Sequence, residues 1–304
     1  MAAGAIGTEP YAFEWVEAPQ EIAPYLNSLY VLRAGSALVE DTMPAYSGQM
    51  VLTLRGGGTM RFASGEIARS SDAFFQCPLT QAHRFELEPH TVMLGVSLNF
   101  RGWAALTQLP VDSNRDTYLT VREVLGDTVG DRVDALLARI HSGAVDEKGA
   151  LDELARIVAD EIAPLSERHQ QVIDRTLEWL SSSFKPEVAT LYDKLPYSER
   201  QVQRLVTRFF GQPPVRLIRR YRAIRAATLL AMPDLSPTLE AEIREAFYDQ
   251  AHMIKEIRQF TGRTPRRLRP KEQSVVKETL GEAGYGSVDL FGGNQDEMLG
   301  RKSD

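Results

Sequence analysis

The chain has 304 residues, 43% apolar and 25% charged, with a net charge of −6; that length predicts about two domains, and the composition excludes a disordered or fibrous chain. Its one cysteine, Cys77, excludes a disulfide framework, a Cys-rich zinc site and a CxxC redox pair, and suits a reducing compartment. No apolar run reaches the roughly 18 residues needed to cross a bilayer, and the small apolar residues at the N-terminus have no basic segment ahead of them, so neither a membrane partner nor a signal peptide is expected and the cytoplasm is the expected location.

From about residue 26 to 100 the sequence is strand-like. Short apolar or alternating runs at 50–54, 59–62, 73–76, 84–87 and 92–98 predict strands. Strands at this spacing, with no long helical pattern between them, suggest a small barrel or sandwich of cupin-like type. Gly56, Gly57 and Gly58 lack the frame of a phosphate loop, so a hairpin turn is expected there. From Gly102 the character changes, with helices expected at 103–109, 121–140 and 151–162. Residues 1–165 therefore read as a β-rich front domain with trailing helices, and the fold class is α+β.

Residues 166–270 read as helical throughout. Ser166 can cap one helix, Pro186 opens a short one, and Ser198 caps the next. That helix places Val202, Leu205, Val206 and Phe209 at i, i+3, i+4 and i+7, a buried stripe. Gly211 ends it and Pro214 starts a longer helix with Leu217, Ile218, Tyr221, Ile224 and Leu229 inward. A weaker helix at 239–246 precedes a last one, capped by Asp249, with Met253, Ile257 and Phe260 inward and Gly262 closing it. Beyond Lys271 apolar periodicity fades, and 271–304 is expected to be a disordered acidic tail.

Charge divides the chain in the same way. Residues 1–165 carry 12 Lys+Arg against 22 Asp+Glu, a net of −10; residues 166–271 carry 20 against 12, a net of +8; residues 272–304 carry 3 against 7, a net of −4. Eight arginines lie between Glu199 and Arg225, which carry no other acid than Glu199. A guanidinium fork suits phosphate oxygens and guanine edges. The tail's charge would compete with DNA for that basic face.

Two short helices joined by a tight turn, the second amphipathic, form a helix-turn-helix, whose second helix lies in a major groove. At 100° per residue, the inward stripe of the 198–210 helix turns Arg200, Gln203, Arg204 and Thr207 outward, with Gln201 and Arg208 at the flanks. Arg and Gln pair bidentately with guanine and adenine, whereas flank positions suit phosphate. The same projection of the 249–260 helix exposes Gln250, Ala251, Lys255 and Arg258.

The stretches SERQVQRLVTRFFGQPPVRLIRRYRAIRAATLL and FYDQAHMIKEIRQFTGRTPRRLR resemble the DNA-binding domain of AraC/XylS-type transcriptional regulators, over roughly residues 166–270. The resemblance implies two helix-turn-helix units joined by one long helix, with both reading helices entering adjacent major grooves of double-stranded promoter DNA. Carried over by position, Arg200, Gln203 and Arg204 would read bases from the first unit, and Gln250, Ala251 and Lys255 would form the reading face of the second. Gln201, Thr207, Arg208, Arg219 and Arg258 would contact phosphates. A cytoplasmic activator of this kind implies RNA polymerase as a partner, a homodimer, and no cofactor. More weakly, QCPLTQAHRFELEPHTVMLGVSLNFRGWAAL is similar to a β-rich sensory module attached to some of these regulators. That likeness implies a small-molecule effector or a protein partner at the front domain. Gln76, Arg84 and Asn99, near strand ends, are the candidate ligand residues.

The sequence departs from the family pattern in the second unit. Glu242, Arg244 and Glu245 interrupt the apolar helix, Ala246 stands where Gly is usual, and 234–249 carries five acids and one Arg. Binding energy is therefore expected to be polarised toward the first unit. The same acidic stretch, with the acidic tail, suits an alternative of a different class: an interaction protein on a decayed regulator scaffold, without sequence-specific DNA affinity. Catalysis finds no support. The histidines at 83, 90, 141, 169 and 252 make no ligand spacing for a metal, there is no GxSxG, and Cys77 reads as a buried structural thiol.

Overall fold

The computed structural model describes residues 10–231, 235–268 and 278–279. The front of the chain forms ten strands: β1 (Tyr11–Val16), β2 (Leu26–Ala34), β3 (Val39–Met43), β4 (Gln49–Arg55), β5 (Gly58–Arg61), β6 (Ile67–Arg69), β7 (Ala73–Gln76), β8 (His83–Leu87), β9 (Val92–Leu98) and β10 (Tyr118–Thr120). All pairings are antiparallel. One sheet has the order β1-β2-β9-β4-β7-β10 and the other β3-β8-β5-β6. The larger sheet is buried on both faces, which explains its continuous apolar runs. On β2, β4 and β9, Leu29, Val31, Met50, Leu52, Leu94 and Val96 face the helices, while Tyr30, Leu32, Val51 and Met93 face the second sheet. The smaller sheet shows the alternation of a half-solvated strand: on β8, Phe85 and Leu87 are buried whereas Arg84 and Glu86 are exposed.

Two details differ from the sequence expectation. The triple glycine is a corner between the two sheets, not a hairpin, because β4 and β5 do not pair with each other. Thr91 fixes the corner: its hydroxyl donates to the Gly57 carbonyl and accepts from the Gly57 amide, both at 3.0 Å. Gly56 has φ +70°, and a Cβ there would sit 2.4 Å from the Thr91 hydroxyl, so neither the backbone nor the space admits another residue. The single helix expected at 121–140 is broken at Gly126 into α2 (Val121–Leu125) and α3 (Asp127–His141).

The other helices of the front region are α1 (Phe100–Thr107) and α4 (Glu147–Glu161), which pack with α3 over the larger sheet. Cys77 lies in this layer, fully buried, and burial first, then the charges of Asp116 and Glu123, push its thiol up to about 12. His83 is satisfied internally, with Nε2 2.9 Å from Asp116, which also accepts from the Thr80 amide and hydroxyl. Burial pushes the Asp116 carboxyl up, but these hydrogen bonds outweigh it and hold the group below the usual carboxylate range.

The rear is α5 (Glu167–Ser181), α6 (Val188–Asp193), α7 (Glu199–Phe210), α8 (Pro214–Leu230), α9 (Pro237–Glu245), α10 (Gln250–Thr261) and the short α11 (Pro265–Leu268). Each of α5, α7, α9 and α10 starts at a side-chain cap: Ser166, Ser198, Ser236 and Asp249. The two helix pairs α6–α7 and α9–α10 flank α8, whose face toward each pair is lined by arginine as well as apolar side chains. Arg222 lies over the Phe247 ring, 4.7 Å from its centroid, donates to the Ala246 carbonyl at 3.0 Å, and reaches Glu256 at 2.5 Å. Arg225 lies over Phe184 at 4.4 Å and donates to the Ser181 carbonyl. Three of the eight arginines in the basic run, Arg220, Arg222 and Arg225, are buried, and Arg222 and Arg225 hold helices to α8.

Glu256, fully buried on α10, is the counter-charge. It accepts from Arg219 at 2.6 Å and from Arg222, and lies 3.1 Å from His252. Glu256→Ala would leave Arg222 buried without its partner, at a cost of about 3–5 kcal/mol. A urea titration should show that loss, whereas a shift under about 1 kcal/mol would assign the cluster the weight of a surface pair.

Candidate nucleic-acid interface

The second helix of the first pair, α7, expected from the sequence to be a reading helix, begins at a capping box in which the Ser198 hydroxyl receives the Gln201 amide and the Gln201 side chain receives the Ser198 amide. Val202, Val206, Phe209 and Phe210 are buried. The opposite face carries Arg200 and Arg204, exposed and without a hydrogen bond or ion pair among the described residues. Gln203 is exposed beside them, with its amide donating to the Tyr192 hydroxyl at 2.7 Å. Thr207 is half-buried and donates back to the Gln203 carbonyl. Arg208 is exposed at the flank. Burial, then the guanidinium groups of Arg208 and Arg168, hold the His169 imidazole below its usual range, a local mark of the positive field on this side.

The corresponding helix of the second pair, α10, has Met253, Ile257 and Phe260 inward. Gln250, Ala251, Lys255 and Arg258 are exposed. Arg219 is tied to Glu256, with 43% of its side chain still exposed. The sequence reading did not identify Tyr192, Arg222 or Glu256 as positioning residues. For Glu256 a signal existed, since it lies three residues from Met253 and four from Phe260, inside the buried stripe.

Both reading helices are held at their C-terminal ends. The last carbonyls of a helix have no partner within it, and here the front region supplies donors. The Val111 amide donates to the Arg208 carbonyl at 2.7 Å and Arg115 to the Gly211 carbonyl at 2.6 Å. Phe210 packs on Phe100 with ring centroids 4.4 Å apart. At α10 the Ala45 amide donates to the Phe260 carbonyl at 2.7 Å and the Ala82 amide to the Gln259 carbonyl at 3.0 Å. Just past that helix Arg263 pairs with Asp41, a nearly buried carboxylate of β3. Gly211 and Gly262 close the two helices at φ +76° and +74°, and a Cβ on Gly262 would lie 2.1 Å from the Thr42 methyl.

A turn between two helices, a capped second helix with a buried stripe and an exposed basic face, repeated across one long helix, is the geometry of paired helix-turn-helix units. Residues 191–271 match the family described as a helix-turn-helix domain. The chain carries an AraC-type helix-turn-helix domain. A domain of this kind binds DNA. Among solved structures, the chain is similar to an apo form of ToxT from Vibrio cholerae, at 8% identity and TM-score 0.42, over 86% of this chain and 97% of that one. It is also similar to wild-type ToxT from the same organism with an unsaturated fatty acid bound, at 9% identity and TM-score 0.41, over 79% and 93%. The AraC-like transcriptional activator CuxR matches at 13% identity and TM-score 0.30, over 71% and 86%. No curated protein matches the sequence.

The front region has a cavity of about 60 Å³ between the two sheets. Gln76 lines it, nearly fully buried, with its Nε2 lacking a hydrogen-bond partner among the described residues. Beside it the Tyr30 hydroxyl donates to Gln49, and Gly95 leaves the space in which the Tyr30 ring lies. The other two candidate ligand residues are elsewhere. Arg84 is exposed on an outer groove with Arg61 and Arg263, and Asn99 caps α1, accepting from the Gly102 amide and donating to the Pro24 carbonyl, both at 2.9 Å. Among the described residues no group of His, Cys, Asp or Glu could hold a metal, and no helix is long and apolar enough to cross a membrane.

Gly262→Ala should loosen the second attachment while leaving α10 folded. In amide hydrogen exchange the Ala45 and Ala82 amides are expected to lose protection, with Ile257 unchanged. Full protection at both would show that the glycine is not needed for docking.

Proposed function

We propose that residues 166–270 read promoter DNA in a sequence-specific manner and that residues 1–165 sense a small molecule. Arg200, Gln203 and Arg204 would reach base edges from α7, and Gln250, Ala251 and Lys255 from α10. Gln201, Thr207, Arg208 and Arg258 would set the register on phosphates, joined by Arg219 from its pair with Glu256. The observation that carries this reading is that Arg200 and Arg204 are exposed and unpaired among the described residues, on a helix whose opposite face is fixed in the core. The helix N-terminus that bears them also carries the positive end of the dipole toward the phosphates. In the front region the unpaired Gln76 amide, set among apolar walls, suits a small neutral molecule with a hydrogen-bond acceptor. As an activator the chain would also meet RNA polymerase, and a homodimer would place two copies on one promoter in the cytoplasm.

A second reading, a protein-interaction module without sequence-specific DNA affinity, is favoured by Glu242 and Glu245, exposed on α9 with no ion pair among the described residues. The two readings separate by salt. A duplex-DNA binder should lose log affinity linearly with log salt, at a slope of about −0.9 per phosphate neutralised. In a gel-shift titration Arg204→Ala should cost about 1–3 kcal/mol and relax one base position. Lys255→Ala, in the unit whose first helix is acidic, should do less. Equal losses would overturn the polarity of the interface, and a flat salt profile would favour the second reading.

A further inference from the structure

One of the side chains proposed to read bases is held by a neighbour on another helix. Gln203 is exposed on the outward face of α7, and its Nε2 donates to the Tyr192 hydroxyl at 2.7 Å. Tyr192 belongs to α6, the first helix of the pair, and is half-buried, packed against the apolar core that contains Val202 and Val206. An aromatic anchor thus fixes the hydroxyl, and the hydroxyl fixes the Gln203 carboxamide. Counted from the caps Ser198 and Asp249, the two units align, Val202 with Met253, Val206 with Ile257, Phe209 with Phe260 and Gly211 with Gly262. On that alignment Tyr192 corresponds to Ile243 and Gln203 to Ile254. Two apolar side chains serve at those places in the second unit, so the polar pair is not something a helix-turn-helix needs in order to fold.

A carboxamide has two N–H donors and one carbonyl acceptor. With one N–H of Gln203 given to Tyr192, the other N–H and Oε1 remain for the groove. A donor beside an acceptor complements adenine, whose N7 accepts and whose N6 amino group donates on the major-groove edge, whereas guanine presents two acceptors there. Turned over, the amide would put both N–H groups toward the groove, which suits guanine. We propose that Tyr192 is a positioning residue that holds Gln203 for adenine, so that the part of the target site beneath α7 contains an A·T pair selected by this side chain. The inference deepens the reading of promoter DNA given above and rests on it. Tyr192 acts through Gln203 and need not touch DNA.

Selection of duplexes from a randomised library by the full chain tests this. Gln203→Ala should abolish the preference at one base pair, which identifies the position, and in the wild-type selection that pair should be A·T. Tyr192→Phe keeps the ring in the core and removes only the hydroxyl. It should weaken the preference for A·T at that pair by about fivefold and leave the preferences at other positions in place. The double variant should match Gln203→Ala. A G·C pair at the Gln203 position would overturn the proposal, as would a Tyr192→Phe profile equal to wild type or lowered equally at every position. If no base pair responds to Gln203→Ala while Arg204→Ala still relaxes one, the DNA reading stands and the proposal falls alone. If the wild type enriches no sequence, the DNA reading fails and the proposal falls with it.

Discussion

The arrangement depends on how α7 and α10, the two helices proposed to read DNA, are anchored. Each ends in a left-handed glycine, and the carbonyls left open by that ending are taken up by amides and an arginine of the front region. This satisfies groups that would otherwise need water or further caps, and it fixes the helices at the ends away from the residues proposed to read bases. The N-terminal halves of α7 and α10 are left exposed, with their dipoles and their Arg, Gln and Lys side chains outward. The charged part of the grip is the pair of Asp41 with Arg263, which joins strand β3 to the end of the second reading helix.

The basic run that first suggests a nucleic-acid partner serves two purposes. Arg200, Arg204, Arg208 and Arg216 are exposed. Arg222 instead lies over Phe247 and donates to the Ala246 carbonyl, fastening the α9–α10 pair to α8, while Arg225 lies over Phe184 and donates to the Ser181 carbonyl, fastening the end of α5. A planar, always charged group that stacks and donates in several directions is well suited to this role. The cost of burying Arg222 is offset by Glu256. Charge counted along the sequence therefore overstates the charge available to phosphates.

What was legible in the sequence followed locality. The stripe at Val202, Val206 and Phe209 and the caps at Ser198 and Asp249 are set within one helix, so the helix-turn-helix units could be read directly. Strands β4 and β9 were legible because both of their faces are buried. Strand β3 was not: Glu40, Asp41 and Thr42 look like loop residues, and Asp41 finds its partner more than two hundred residues away. The three-residue strands β6 and β10 exist only through their pairing with β5 and β7. Among the candidate ligand residues, Gln76 lines the cavity, while Arg84 and Asn99 show that polar residues near strand ends are as readily a solvated face or a helix cap. No local pattern places Thr279 in the wall of the front cavity, because the rest of that wall is made by strands at the other end of the chain.

Hydroxyl-radical footprinting of the full chain on a duplex it selects tests most directly whether two anchored helices present their free halves to DNA. The account predicts two protected patches on one face of the duplex, about one helical turn or ~34 Å apart, the stronger beneath α7. A single patch, or protection without a fixed spacing, would contradict it.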